Sequence, residues 1–308
     1  MTTNLLGPLF GAVLLASVVN AGPVPVLDVV QLTADADLIV TGTMTIDDKI
    51  GEIAIDQVLK GTAPSPVRAL LPADGTVIGD GYRLFFLKAR GSEYDFASPY
   101  YPSLPAVRDT RFTTADALGR VFETLGTVVR SNAPFELKHE TIGLALMGVR
   151  HPIAQSALRD VLDQGDDRLR LLAAGALLAG DDVSALPFVE IVLLQTPPDS
   201  WANFLGGVQS GLRKVRNQAA IPMLTRLLAR GNTDTRRAAA DALRFMRSPA
   251  TIDAFVAALD DTDVEVRHSA VLGLAETTGQ LQWGPSIPAF AADPDRYISY
   301  WKEWARSR

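Results

Sequence analysis

The sequence predicts an α+β chain in two parts: a small N-terminal antiparallel β-barrel, then an all-α solenoid of about five helix pairs. Three observations carry this. Residues 232–275 read NTDTRRAAADALRFMRSPATIDAFVAALDDTDVEVRHSAVLGLA. That is a helical segment, a turn, a second helical segment and a polar turn, after which the first segment begins again, the mark of a solenoid. Between residues 37 and 88 the period changes, and β-branched residues alternate with polar ones as in half-buried strands. Finally, 308 residues with 47% apolar and 21% charged side chains are an ordinary globular composition with enough length for two cores.

Residues 1–21 predict a signal peptide. Leu5–Val19 is apolar and uncharged, and Val19-Asn20-Ala21 ends it with a small residue before Gly22. About fifteen apolar residues, interrupted by Gly7 and Pro8, are short for a bilayer-spanning helix. The expected location is extracytoplasmic, periplasmic or secreted, with no membrane span once the signal is cleaved. Retention as an anchor is the alternative, and so is a buried terminal helix or strand. The absence of cysteine excludes disulfides, thiol chemistry, Cys-based zinc or iron–sulfur sites and a lipobox.

Residues 22–100 predict the β-barrel domain. Asp28–Ala36 suits a short helix. Asp37–Met44, Ile50–Val58, Pro66–Leu71 and Tyr82–Lys88 alternate as strands, separated by turn chemistry at Asp47-Asp48, Lys60-Gly61, Pro72–Gly75 and Gly79–Gly81. The strings ADADLIVTGTM, IAIDQVLKG and GYRLFFLKA resemble the netrin-like, OB-type barrel of tissue inhibitors of metalloproteinases and of exported bacterial proteins. Those inhibitors present an N-terminal cysteine to the protease zinc. This chain has none, so the resemblance implies the fold and not the inhibition.

Residues 101–134 predict a linker and a bridging helix. Tyr94–Val107 is rich in Pro, Ser and aromatics without a period, and Tyr100, Tyr101 and Pro102 suit either an extended segment lying on the body or a ligand platform. Leu118, Val121, Phe122, Leu125, Val128 and Val129 then recur at helical spacing, with Thr114 as the expected N-cap and Arg130–Pro134 as the stop.

Residues 135–308 predict the solenoid. A small residue followed by leucine recurs at Ala145-Leu146, Ala176-Leu177, Gly211-Leu212, Ala242-Leu243 and Gly273-Leu274, at intervals of 31, 35, 31 and 31 residues. The small residues allow close helix approach and the leucines fill the shared core. Leu186-Pro187, Ile221-Pro222 and Ile287-Pro288 start second helices, where proline removes no intrahelical bond. Asp166-Asp167, Asp234 and Asp263 are expected to cap first helices, and Arg170, Arg236 and Arg267 to pair with those carboxylates in a ladder. RRAAADALRFM and VRHSAVLGLAE resemble the HEAT-like repeats named after phycobilisome lyases, over roughly Phe135–Gln280. Tyr297, Tyr300, Trp301 and Trp304, at helical spacing, predict an aromatic C-terminal cap.

No catalytic residue, metal ligand set or cofactor site is predicted. HExxH, Gly-x-Ser-x-Gly and phosphate-loop motifs are absent from the sequence. Deoxyhypusine hydroxylases, built from similar repeats, bind iron through several His-Glu pairs; His139-Glu140 is the one such pair here. The expected function is therefore an exported, non-catalytic binding scaffold for another protein or an acidic envelope macromolecule. A local excess of cations in the third and fourth repeats, namely Arg213, Lys214, Arg216, Arg226, Arg230, Arg244 and Arg247, is the candidate partner-binding set. The alternatives are a HEAT-like enzyme of metal-dependent or lyase type and a cytosolic nucleic-acid binder, for which HEAT-like DNA glycosylases are a precedent. The net charge of −6 weighs against nucleic acid.

Overall fold

The computed structural model describes residues 26–64, 66–72, 79–195 and 201–308, so the expected signal segment and most of the Pro72–Gly75 turn lie outside the described residues. A short helix, α1 (Val29–Asp35), opens the described chain; the Asp28 carboxylate accepts from the N–H groups of Val30 and Gln31 and caps it. Six strands follow: β1 (Leu38–Asp47), β2 (Ile50–Lys60), β3 (Val67–Leu70), β4 (Tyr82–Arg90), β5 (Glu93–Phe96) and β6 (Ser103–Pro105). The first four lie where alternation predicts them. The last two fall in or beside the stretch expected to be a linker, and the sheet runs past residue 100 to Pro105. Strands this short carry too few residues for alternation to register; β4 supplies their pairing, with Glu93 opposite Arg90 across a turn at Gly91 (φ 63°) and Leu104 opposite Leu84.

The six strands form one sheet. β1 pairs antiparallel with both β2 and β4, β2 with β3, and β3 runs parallel to β5, which returns to β4. Period-two alternation in β1 and β4 divides their side chains between two cores. Leu38, Val40, Phe85 and Leu87 join Ile53, Val67, Ala69 and Phe96 on one side. Ile39, Leu84 and Phe86, with Leu104, join the core of the helices on the other. Burial on both faces is why Leu84–Leu87 reads as an unbroken apolar run.

The bridging helix α2 (Ala117–Arg130) starts later than expected. Asp116, not Thr114, caps it, accepting from the Gly119 N–H at 2.7 Å. Thr114 is held instead by Glu123, to which its hydroxyl donates at 3.0 Å. Five helix pairs follow. They are α3 (Phe135–Glu140, continued by a π-helical segment Thr141–Leu146) with α4 (Pro152–Gln164), α5 (Asp167–Ala179) with α6 (Leu186–Leu194), and α7 (Ala202–Lys214) with α8 (Ile221–Arg230). The last two are α9 (Thr233–Met246) with α10 (Ile252–Ala258) and α11 (Val264–Thr278) with α12 (Ile287–Ala292); α13 (Pro294–Arg306) closes the stack.

Every recurring small-Leu pair is buried in these first helices. At the α5–α7 crossing the approach is backbone to backbone: a Cβ on Gly211 would stand 2.6 Å from the Gly175 carbonyl oxygen. A carbonyl inside a helix cannot retreat as a side chain can. Gly211→Val is expected to destabilise the protein by about 1–3 kcal/mol, the usual cost of overpacking, read as a lowered midpoint in urea unfolding.

The capping and ladder expectations need correction in two places. Asp166 and Asp263 cap α5 and α11 as expected, but Asn232 caps α9, and Asp234 lies inside its first turn. Each of the recurrent arginines bonds a backbone carbonyl that precedes its own helix. Arg170 donates to Leu162 O (2.9 Å), Arg236 to Gly231 O (3.1 Å) and Arg267 to Asp261 O (2.7 Å). The carbonyls left without an N–H partner where each preceding helix ends are the reason: they lack intrahelical donors, and a guanidinium close by supplies them. Arg170 also reaches Asp167 in its own unit, whereas Arg236 pairs with Asp261 of the following turn at 2.8 and 2.9 Å.

Two contacts fix the ends of the stack. Arg83 of β4 donates to Glu140 of α3 at 2.7 Å and to the Ser103 hydroxyl at 3.1 Å, joining sheet to first repeat. At the far end Trp301 is fully buried and donates its ring N–H to Trp283 O at 3.2 Å, while the Tyr300 and Trp283 rings stack with centroids 3.7 Å apart. The aromatic C-terminus is a cap. No helix among the described residues is long and apolar enough to cross a membrane.

Candidate functional site

The seven candidate cations divide between two surfaces. Arg213 and Lys214 end α7 and Arg216 follows it; Arg244 lies in the last turn of α9 and Arg247 is its C-cap. These five share the edge formed by first-helix C-termini, where positive charge is favoured by the helix dipole. Arg226 and Arg230 lie on α8, in the layer of second helices.

Several of the seven are engaged by neighbouring repeats. Arg226 makes a two-pronged pair with Glu190 of α6, at 2.5 and 3.0 Å. That hydrogen bonding holds the Glu190 carboxyl below its ordinary range, and Arg230 adds to the effect. Arg213 meets Asp241 of α9 at 3.3 Å, and Asp241 in turn accepts from Ser269 of α11 at 3.1 Å, so one carboxylate ties three first helices together. Arg244 donates twice to Glu276 Oε1, at 3.0 and 2.6 Å. These pairs are mortar between repeats.

Three cations on the first-helix edge are not neutralised in this way; Arg230 of α8 likewise makes no ion pair or side-chain hydrogen bond among the described residues. The Lys214 side chain makes no hydrogen bond or ion pair among the described residues. Arg216 spends its Nη1 on the carbonyls of Arg213 and Val215, at 2.6 and 2.7 Å, closing the end of α7 without meeting a carboxylate. Arg247, in a left-handed backbone conformation (φ 47°), is 68% exposed, and its Nε stands 3.9 Å from Glu276 Oε2, beyond hydrogen-bond distance.

Beside Arg216 lies a residue that the charge pattern does not single out. Phe245 is 48% exposed. The Arg216 guanidinium carbon lies 4.7 Å from its ring centroid and that of Arg244 5.2 Å, within cation–π range. A signal for it does exist in the sequence. Two residues beyond the small-Leu pair the other four repeats carry Gly148, Ala179, Lys214 and Glu276. Phe245 is the one aromatic at that position.

His139 and Glu140 are occupied elsewhere. The His139 ring packs beside Phe135 and edge-on to Phe204, and the Glu140 carboxylate is committed to Arg83. A cavity of about 690 Å³ lies apart from the repeats' basic edge, between α1 and the Met147–Pro152 loop; Asp28 and Arg150 are its charged residues.

The strongest electrostatic perturbation in the repeats belongs to the mortar. Arg237 grips Asp263 at 2.9 and 2.6 Å and, with the N–H of Val266, lowers its carboxyl from 3.8 to about 2 against the opposing effect of burial. A depressed carboxylate contributes stability above its unfolded value and loses it as pH falls toward the folded one. The stability gap between wild type and Asp263→Asn, which keeps a capping side chain, is expected to shrink as pH drops from 5 to 2. Thermal melts across that range would read it.

Residues 208–275, from α7 to α11, match the family model for HEAT repeats. No curated protein matches the chain significantly. The matched segment is the one that carries Arg213, Lys214, Arg216, Phe245 and Arg247, and HEAT repeats in general serve as interaction scaffolds.

Proposed function

We propose that this protein is an exported scaffold that acts by binding rather than by catalysis, and that it holds a macromolecular partner on the first-helix edge of its HEAT repeats. The observation that carries this reading is the exposed Phe245 ring beside Arg216, whose guanidinium meets no carboxylate, on an edge that also carries Lys214 and Arg247. Surface-exposed aromatics beside arginine are the composition of interaction hot spots. The apolar stretch Leu5–Val19 and the small residues before Gly22 support export. The cycle of strand pairings β1–β2–β3–β5–β4–β1 supports an OB-type closed barrel for the N-terminal sheet, serving as the stack's N-terminal cover.

A photo-cross-linking residue at position 245, compared with one at Ser156 on α4, tests the scaffold reading in the extracytoplasmic fraction of the source cells. A discrete adduct from 245 and none from 156 is the expected result; matching adducts from both positions would sink the assignment of the edge. Export is tested by N-terminal sequencing of the mature protein, with a start near Gly22 expected. Stoichiometric iron or zinc in the purified protein would favour the metal-enzyme alternative instead.

A further inference from the structure

The partner's chemistry can be narrowed, on an argument that rests on the scaffold reading above. We infer that the first-helix edge receives an acidic peptide segment that carries an apolar side chain, the carboxylates meeting Lys214, Arg216 and Arg247 and the apolar group covering Phe245.

Charge gives the first half. The Lys214 side chain has no partner among the described residues, the Arg216 guanidinium is held only by backbone carbonyls and a ring face, and Arg247 projects into solvent. Each can take a carboxylate without giving up an existing ion pair at hydrogen-bond distance. Arg216 is also pre-organised. Two carbonyls and the Phe245 ring fix its guanidinium, so little side-chain freedom is lost when an anion docks.

The ring gives the second half. Phe245 is covered on the side of Arg216 and Arg244 and stays 48% exposed. An apolar partner group removes that remaining surface from water, a favourable term that a purely ionic ligand cannot supply.

The same edge disfavours a uniform polyanion. Asp181 accepts from the N–H groups of Arg216 and Asn217, at 2.6 and 2.9 Å, and Asp241 and Glu276 stand among the cations. A nucleic acid with a charge at every nucleotide would set phosphates against these carboxylates. A peptide can space its acids and place an apolar side chain between them.

Calorimetric titration of the full chain tests this with three synthetic nonapeptides: Ac-EEDEFEDEE-NH2, the same with Ala for Phe, and Ac-QQNQFQNQQ-NH2. A single-stranded oligonucleotide is the fourth probe. The acidic Phe peptide is expected to bind best, with affinity that falls as salt rises. Lys214→Ala with Arg216→Ala should weaken it at least tenfold. Phe245→Ala should bring the Phe peptide down to the affinity of the Ala peptide. Arg226→Ala with Arg230→Ala, on the other layer, should leave binding unchanged, and melting of each variant separates lost binding from lost fold.

The inference is overturned if the acidic Phe peptide does not bind, or if the neutral peptide binds as well. It is equally overturned if the two double variants weaken binding alike, or if the oligonucleotide binds tighter and is indifferent to Phe245→Ala. A cross-link from position 245 in cells, without acidic-peptide binding in the calorimeter, removes the acidic partner and leaves the scaffold reading standing.

Discussion

Trp301→Ala is expected to cost about 3–5 kcal/mol, the usual range for removing a buried tryptophan from a core. The side chain is fully buried, and its indole N–H satisfies Trp283 O in the loop that follows α11. Deletion would therefore open a cavity under α11 and leave a carbonyl without its donor. The loss should be felt locally first. In a stack each repeat leans on its neighbours, and the terminal one has a neighbour on one side only. Hydrogen exchange should accelerate in α11, α12 and α13 before it does in α5 or α7, and the urea midpoint should fall. Uniform acceleration throughout the chain would mean that the aromatic cap is not an end-piece of the stack but part of one indivisible core.

That cap was legible in the sequence because four aromatics at helical spacing close a chain of repeats. The repeats were legible for a related reason: small residues at Ala176, Gly211, Ala242 and Gly273 are demanded by close helix approach, and each is followed by a leucine the core requires. β5 and β6 were not, since four- and three-residue strands owe their existence to β4 rather than to their own pattern. The charges divide in the same way. Nothing local to Arg226 reveals that Glu190 waits 36 residues upstream in another repeat, or that Arg244 is matched to Glu276. Pairing between repeats is a property of the stack, and a single unit read alone makes its mortar look like a binding strip. Phe245 is the converse case. Comparison of Phe245 with Gly148, Ala179, Lys214 and Glu276 exposes it as out of pattern, but only its exposure in the fold shows that it faces solvent and not a neighbouring helix.

The joint between sheet and stack leads to the last prediction, in which two substitutions at one ion pair have unequal effects. Arg83 is 4% exposed as a residue, whereas the Glu140 side chain is 31% exposed. Removing the carboxylate with Glu140→Ala strands a guanidinium that cannot rehydrate, although Ser103 still accepts from its Nε at 3.1 Å. About 3 kcal/mol is expected, the low end of what breaking a buried pair costs. Removing the guanidinium with Arg83→Met leaves an apolar side chain in the buried position and a carboxylate that water can reach, so the expected change is within about 1 kcal/mol. The double variant should then resemble Arg83→Met and rescue most of the Glu140→Ala loss, a result that urea unfolding of all three would read. Equal costs for the two single variants would instead describe an ordinary surface bridge. Because the pair lies at the first repeat and the Phe245 edge at the fourth, acidic-peptide binding should survive each of these changes wherever the stack stays folded.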